Sequence, residues 1–273
     1  MHILTFDIED WYLSYHSSQI PDSKWESLPY RTERNTEIIL QFLDDNHLRA
    51  TFFFLGYEIR KNPNLLRKVY LANHEIGFHG MYHVPPEHSG RIKFAQELKE
   101  GLSLMEDLVG EKVIFFRSPG FSWNANCPWF PEVLLEAGIK VSSSIVAGRT
   151  LGSLKVPKHP FTFSLNGFSL VEFPLSLYQL ISGGIRYSGS GYFRFYPWSF
   201  LQKAFSQGEY HILYFHPRDF DTEIPWTDEL PLYRNLMNRW GNASTLQKLQ
   251  RLVNHYPLIS LGEAYNLWKG NYA

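Results

Sequence analysis

Two histidines, His79 and His83, lie in the segment HEIGFHGMYH at a spacing that suits a metal site. In a helical turn, side chains four residues apart share a face, so we expect both imidazoles to reach one metal ion. Gly80 allows the backbone to turn sharply from a strand into that helical turn. Two surface histidines in a loop are the alternative, and His74 is a candidate for a structural role.

Three carboxylates, Asp7, Glu9 and Asp10, follow the apolar residues at the start of the chain. Crowding negative charges where a strand ends is costly unless a metal or proton chemistry holds them. Side chains alternate along a strand, so Asp7 and Glu9 should share one face, with Ile8 on the other. An acidic cap at a strand-to-helix turn is the alternative interpretation.

Two further polar groups follow apolar runs later in the chain. Arg117 begins the segment RSPGFSW, where an arginine could bind a carboxylate through two hydrogen bonds and Gly120 allows a ligand to approach the backbone. His216 follows the run HILYF and lies on the strand face opposite to His211, a position suited to general acid or base catalysis.

Short apolar runs alternate with helical periods, a pattern typical of βα units around a mostly parallel sheet. The predicted strands are 3–7, 50–55, 75–79, 113–116, 139–143, 211–215 and 258–260. The predicted helices are 33–46, 63–71, 94–109, 131–137, 198–207, 244–254 and a last short helix. Four polar clusters at the carboxyl ends of four strands are typical of an α/β barrel active site.

The periodic pattern breaks down over about 158–191. There, FTF and FSLVEF are expected to form a hairpin with a type I′ turn at Asn166-Gly167. No repeat or linker is evident, so we expect a single catalytic domain over 1–273, with this insertion and a helical C-terminal extension over about 230–273.

Composition narrows the function classes. The chain has 273 residues, with 26 Lys+Arg against 27 Asp+Glu, which argues against a nucleic-acid partner bound by charge. A single cysteine, Cys127, excludes an internal disulfide framework and an all-cysteine metal cluster. No run of 18 apolar residues occurs anywhere in the sequence, and no basic leader precedes the first strand, so we expect a cytoplasmic protein without a transmembrane segment.

Aromatic residues make up 16% of the chain, and many lie among Gly, Pro and Ser. Flat rings on loops suit the faces of sugars, and we predict Trp123, Tyr192 and Phe193 as substrate-binding residues. The alternative is that a large α/β protein needs bulky residues in its core.

The segments TFDIED, HEIGFHGMYH, FRSPGFSW and LYFHPRDFD, in this order, resemble the motifs of the polysaccharide deacetylases (NodB-homology proteins, carbohydrate esterase family 4). The segment SGYFRFYP and the tail around Tyr233-Arg-Asn-Leu further resemble the subgroup of bacterial exopolysaccharide gene clusters. The resemblance implies a distorted (β/α)₇ barrel, a divalent metal that is usually zinc, and hydrolysis of an N-acetyl group on a sugar.

By position in these motifs, the resemblance implies that His79 and His83 bind the metal. It further implies that Asp7 is the catalytic base, His216 the general acid and Arg117 the residue that orients the base. The backbone N–H of Gly120 falls where the family stabilises the oxyanion.

Two departures from the family pattern stand out. Ile8 follows Asp7 where the family has a second aspartate, so the third ligand is Glu9 or Asp10. Strand alternation and the longer reach of glutamate favour Glu9. The family's aspartate after the fifth strand is replaced within the serines 142–144.

We therefore expect a metal-dependent N-deacetylase acting on a sugar of a bacterial surface glycan or its precursor. Two alternatives stay open. One is hydrolysis of another C–N bond, in a cyclic amide or a ureide such as allantoin, and the other is an inactive glycan-binding protein.

Overall fold

Strands and helices alternate along the computed structural model, which describes residues 1–13, 20–165, 167–181 and 183–272. The strands are β1 (His2–Ile8), β2 (Thr51–Phe54), β3 (Glu75–Phe78), β4 (Phe115–Phe116), β5 (Val141–Ser142), β6 (Thr150–Leu151), β7 (Leu154–Lys155), β8 (Phe161–Leu165), β9 (Phe168–Glu172), β10 (Tyr178–Leu180), β11 (Gly183–Ile185), β12 (His211–Phe215) and β13 (Leu258–Ile259). The helices are α1 (Thr32–Asp45), α2 (Gly56–Lys61), α3 (Pro63–Leu71), α4 (Pro86–Ser89), α5 (Arg91–Val109), α6 (Phe130–Glu136), α7 (Ser190–Phe195), α8 (Trp198–Phe205), α9 (Leu232–Arg239), α10 (Thr245–Val253) and α11 (Leu261–Tyr272).

One sheet organises the described residues, with the strand order β12-β1-β2-β3-β4-β5-β9-β8 and with β13 also paired to β1. Neighbours from β12 to β9 pair in parallel, and β8 pairs antiparallel to β9. Because parallel strands bring their carboxyl ends to one edge, the four polar clusters meet there. The predicted α/β fold with a parallel sheet is confirmed.

Strand β1 alternates between two hydrophobic clusters. Leu4, Phe6 and Ile8 pack in the larger cluster with the helices, whereas Ile3 packs in a separate cluster with Phe53 and residues of β5, β9 and β12. Alternation therefore places Asp7 on the same face of β1 as Ile3, opposite to the face that packs against the helices.

The predicted hairpin is present as β8 and β9. It is part of the main sheet rather than an insertion outside it, because β9 pairs with β5. The expected type I′ turn includes Asn166, which lies outside the described residues.

The segment after β9 reaches the other end of the sheet. There the Tyr210 hydroxyl donates to the Pro174 carbonyl at 2.8 Å, and the Ile212 N–H donates to the Ser176 hydroxyl at 3.2 Å. These bonds connect the segment after β9 to β12 and to the residue before it, at the opposite end of the strand order. Among the described helices, none combines the length and apolar character needed to cross a membrane.

Candidate active site

Three buried side chains, Glu9, His79 and His83, converge at the carboxyl edge of the sheet. One ligand atom from each lies within 4.8 Å of the other two. The Glu9 Oε2 atom is 2.8 Å from His83 Nε2 and 4.0 Å from His79 Nε2. One carboxylate oxygen and two imidazole nitrogens form a donor set that zinc commonly binds in enzymes.

The predicted helical turn between His79 and His83 is wrong. The chain from 79 to 85 is a loop, and α4 begins only at Pro86. Gly80 and His83 have φ angles of 84° and 57°, in the left-handed region, which an α-helix does not allow. The loop nevertheless brings the two imidazole centroids to 5.5 Å from each other.

The hydrogen bond made by His79 fits a metal ligand. Its Nδ1 lies 2.9 Å from the carbonyl oxygen of Arg117, and only a protonated nitrogen can donate to that acceptor. The lone pair is therefore on Nε2, which is buried and has no hydrogen-bond partner among the described residues. Backbone carbonyls fix metal-binding histidines in this way.

Asp10 has a different role. Its carboxylate accepts hydrogen bonds from the backbone N–H groups of Trp11, Arg31 and Thr32, at 2.7, 2.7 and 3.2 Å. The bonds from Arg31 and Thr32 satisfy N–H groups at the start of α1. The Asp10 N–H itself donates to buried Glu58 at 2.9 Å. The geometry therefore agrees with the choice of Glu9 over Asp10 as candidate ligand.

Arg117 holds Asp7. Its Nη1 donates to Asp7 Oδ1 at 2.8 Å and to the Thr5 hydroxyl at 2.7 Å. The guanidinium is fully buried, with its carbon 4.3 Å from the ring centroid of Phe53 and 4.9 Å from that of Phe121. These contacts fix the guanidinium beside the Asp7 carboxylate.

A buried carboxyl group, Glu172, lies near the serines that replace the family's aspartate. It accepts hydrogen bonds from the N–H groups of Ser144 at 2.6 Å and Ile145 at 3.1 Å. Burial raises the pKa of Glu172 to about 7, against the opposing effect of these bonds and of the Arg117 charge. The Nη2 atom of Arg117 donates to the Ser143 hydroxyl at 3.2 Å. Ser143 therefore bonds the arginine directly, while Glu172 bonds the backbone of the two residues that follow Ser143.

His216 faces the same cluster. Its Nε2 is 3.3 Å from Glu9 Oε1 and 3.9 Å from Asp7 Oδ2, and its Nδ1 is 3.0 Å from Asp219 Oδ2. Burial opposes ionisation of Asp219, but the charges of Arg194 and His216 lower its pKa to about 2. An ionised Asp219 fixes the ring of His216 with Nε2 towards the site.

His211 is the first residue of β12, at the end of the strand away from the site. It is buried, and its ring stacks on that of His2 with 4.6 Å between the ring centroids. Burial lowers the pKa of His211 to about 3, so it is neutral in the fold. The structure therefore does not bring His211 to the site.

Sequence reasoning missed Asp219 and Arg218. The Arg218 Nη1 donates to Glu9 Oε1 at 2.9 Å. Burial opposes ionisation of Glu9, but His83, His216 and Arg218 together hold its pKa well below the usual range. Both missed residues belong to the segment HPRD, where a carboxylate three residues after a histidine was the available signal.

Two of the three predicted substrate-binding aromatics do not face solvent. Trp123 is 1% exposed and stacks on Phe130 at 5.2 Å, and Phe193 is 0% exposed and packs against Phe215 at 5.0 Å. Their rings are core residues, so the prediction of sugar stacking is wrong for them. Tyr192 is 45% exposed. Gly120 is exposed on the loop after β4, with a φ of 65° that favours glycine.

The structure is an α/β fold with a candidate metal centre at the carboxyl edge of its parallel strands, and comparison with known families shows the family of the chain. Residues 3–141 match the model described as "Polysaccharide deacetylase", and residues 142–266 match "Domain of unknown function (DUF3473)". The chain belongs to the polysaccharide deacetylase family. The boundary between the two matches falls inside β5, and the second region supplies His216, Asp219 and Glu172 to the site.

Individual relatives match less of the chain. A peptidoglycan-N-acetylglucosamine deacetylase of Bacillus cereus is 34% identical over 85 residues, which are 31% of this chain and 39% of that protein. The chain thus spans about two fifths of the length of that curated relative.

Among solved structures, a candidate polysaccharide deacetylase of Mycobacterium smegmatis superposes with a TM-score of 0.68 at 19% identity, covering 99% of this chain and 90% of that one. Puue allantoinase superposes with a TM-score of 0.66 at 14% identity, with the same coverage. At these identities the two structures establish the fold alone.

Proposed function

We propose that the protein removes an N-acetyl group from a sugar of a bacterial surface glycan or its precursor by metal-dependent hydrolysis. One observation carries the proposal. A carboxylate held by an arginine, Asp7, and a histidine held by a carboxylate, His216, lie 3.9 Å apart beside the cluster of Glu9, His79 and His83. A base, an acid and a metal site are the parts that amide hydrolysis requires.

Glu9, His79 and His83 would hold a divalent metal, for which zinc is our proposal. Bound there, the metal would polarise the acetyl carbonyl and make a water molecule more acidic. Asp7 accepts a proton from the attacking water, whose oxygen forms a bond to the carbonyl carbon. Arg117 orients the Asp7 carboxylate towards that water through the 2.8 Å ion pair.

Breaking the C–N bond requires a proton on the leaving nitrogen. His216 donates it from Nε2, while Asp219 holds Nδ1 and stabilises the protonated ring. The products are acetate and a free amine on the sugar. The Gly120 N–H is our proposed donor to the oxyanion, as the family motif implies.

The surface glycan is proposed from the relatives and the motifs. The Bacillus cereus relative is named for the N-acetylglucosamine of peptidoglycan. The exopolysaccharide subgroup and a cytoplasmic location stay predictions, which substrate specificity and cell fractionation test.

The test is release of acetate from a panel of nucleotide-linked, lipid-linked and polymeric N-acetylhexosamines, after metal analysis of the purified protein. Asp7→Asn is the matched control, because it keeps the shape of the side chain and loses the base. We expect wild type to release acetate from at least one member of the panel and the variant to release none.

Three results would contradict the proposal. Bound metal without acetate release from any substrate would favour the inactive glycan binder. Turnover of allantoin or another small ureide, without deacetylation, would favour the other C–N hydrolase. Acetate release by Asp7→Asn at the wild-type rate would remove Asp7 from the mechanism.

A further inference from the structure

Helix α9 exposes apolar side chains and buries polar ones. Leu236 and Met237 are 53% and 58% exposed, whereas Asn235 and Asn238 are 1% and 3% exposed. Surface helices of globular proteins normally have the opposite arrangement. The exposed side of α9 therefore needs an explanation.

Hydrogen bonds fix this inverted orientation. The amide nitrogen of Asn235 donates to the carbonyls of Thr227 at 2.8 Å and Leu230 at 2.9 Å. The guanidinium of Arg194 donates to the backbone carbonyls of Asn238 at 3.0 Å and Trp240 at 2.9 Å. Rotating α9 to bury its apolar side would break these buried bonds.

The exposed apolar residues form one continuous surface, which we call the α9 face. Its members are Leu232, Tyr233, Leu236, Met237 and Trp240. At 3.6 residues per turn they span an arc of about 140°, and Arg234 and Arg239 lie at its two borders. Phe195, 65% exposed, adds to this surface through its ring, which is 6.3 Å from that of Trp240.

The composition of the α9 face distinguishes between possible partners. Sugars stack on aromatic rings and bind polar side chains, but the aliphatic side chains of Leu232, Leu236 and Met237 offer neither. Aliphatic residues flanked by Trp, Tyr and Arg are typical of helices that lie in the interface of a lipid bilayer. Helix α9 carries two arginines and no carboxylate, which complements anionic headgroups.

We propose that the α9 face binds the surface of a lipid bilayer that contains anionic headgroups. Arg194, which bonds the C-terminal end of α9, also lies 3.0 Å from Asp219, the partner of His216. Binding there would hold the active site close to a membrane-carried glycan. That consequence rests on the proposed function, whereas binding itself does not.

The test is co-sedimentation of the full chain with vesicles of phosphatidylcholine alone and of phosphatidylcholine with phosphatidylglycerol at 7:3. The variant is Leu236→Glu with Met237→Glu. Its matched control is Leu71→Glu with Ile92→Glu, since these residues are 80% and 77% exposed on other helices. Thermal melting without vesicles tests whether each variant is folded.

We expect wild type to bind the anionic vesicles and the α9 variant to lose about tenfold or more in partitioning, because the glutamates cannot enter the interface. The control pair should bind as wild type does. Arg239→Gln should lower binding to anionic vesicles about fivefold and leave binding to neutral vesicles unchanged.

Absence of wild-type binding to both vesicles would overturn the proposal, as would an equal loss in the control pair. A dimer that the α9 variant dissociates, without vesicle binding, would assign the face to a second copy. Vesicle binding is measured without turnover, so vesicle binding without acetate release would contradict only the proposed function.

Discussion

Replacing Glu9 by glutamine tests the assignment of the metal site most directly. Glutamine keeps the shape of the side chain and one oxygen, but it removes the single negative charge among the three candidate ligands. In the structure that charge contacts His83 at 2.8 Å and Arg218 at 2.9 Å. Because its pKa lies well below the usual range, Glu9 is ionised at neutral pH before any metal binds.

The expected loss of metal affinity can be set against the usual cost of losing residues around a metal site. Loss of a residue that only supports a metal ligand lowers affinity by about 10–100-fold. Loss of the anionic ligand itself should exceed this, so we expect a decrease of about 100-fold or more, or about 2.8 kcal/mol. Asp10→Asn is the neighbouring control. Because Asp10 accepts three backbone N–H bonds, its substitution should cost about 1–2 kcal/mol of stability and leave metal binding intact.

Metal content measured by plasma mass spectrometry, together with zinc titration of the apoprotein, provides the assay. Glu9→Gln should purify with little metal, whereas Asp7→Asn should keep its metal and lose activity. A metal-replete Glu9→Gln beside a metal-free Asp10→Asn would refute the reasoning.

Three further predictions concern individual side chains. His216→Ala should slow acetate release by about 10²–10⁴-fold with unchanged metal content. His211→Ala should lower Tm with little effect on the rate of acetate release. Equal loss of metal in both variants would contradict this prediction. Glu172→Gln should keep near-native stability in urea unfolding at pH 6. Glu172→Ala should lose about 2–3 kcal/mol of stability, because two buried N–H groups lose their acceptor. Equal losses in the two variants would contradict this prediction. Burial and the charge of Asp10 raise the pKa of Glu58 to about 8 from 4.5, so its stabilising contribution is full below pH 4.5 and is lost as pH rises through 8. Glu58→Gln should flatten the decline in unfolding free energy over that range, and an unchanged slope would exclude Glu58 as its cause.

The inverted orientation of α9 could not be read from its sequence. Surface helices normally bury their apolar side, and nothing in the residues of α9 marks it as an exception. The buried hydrogen bonds of Asn235 and of Arg194 decide otherwise, and they join parts of the chain that sequence periodicity does not relate.

Local chemistry determined most of the site. Apolar runs specify where strands end, and side-chain alternation specifies that Asp7 and Glu9 share a face. The sequence therefore predicted the parallel sheet and the residues at its carboxyl edge. It failed where backbone conformation departed from the regular pattern, as in the loop that carries His83 with a φ of 57°.

Tertiary structure alone decided which charged groups pair. Arg117 and Asp7 are 110 residues apart, and Arg218 and Glu9 are 209 apart. The same holds for burial, since Trp123 on a loop became a core residue. The physical reason is range: backbone preferences and periodicity act over a few residues, whereas these contacts depend on the order and register in which the strands assemble.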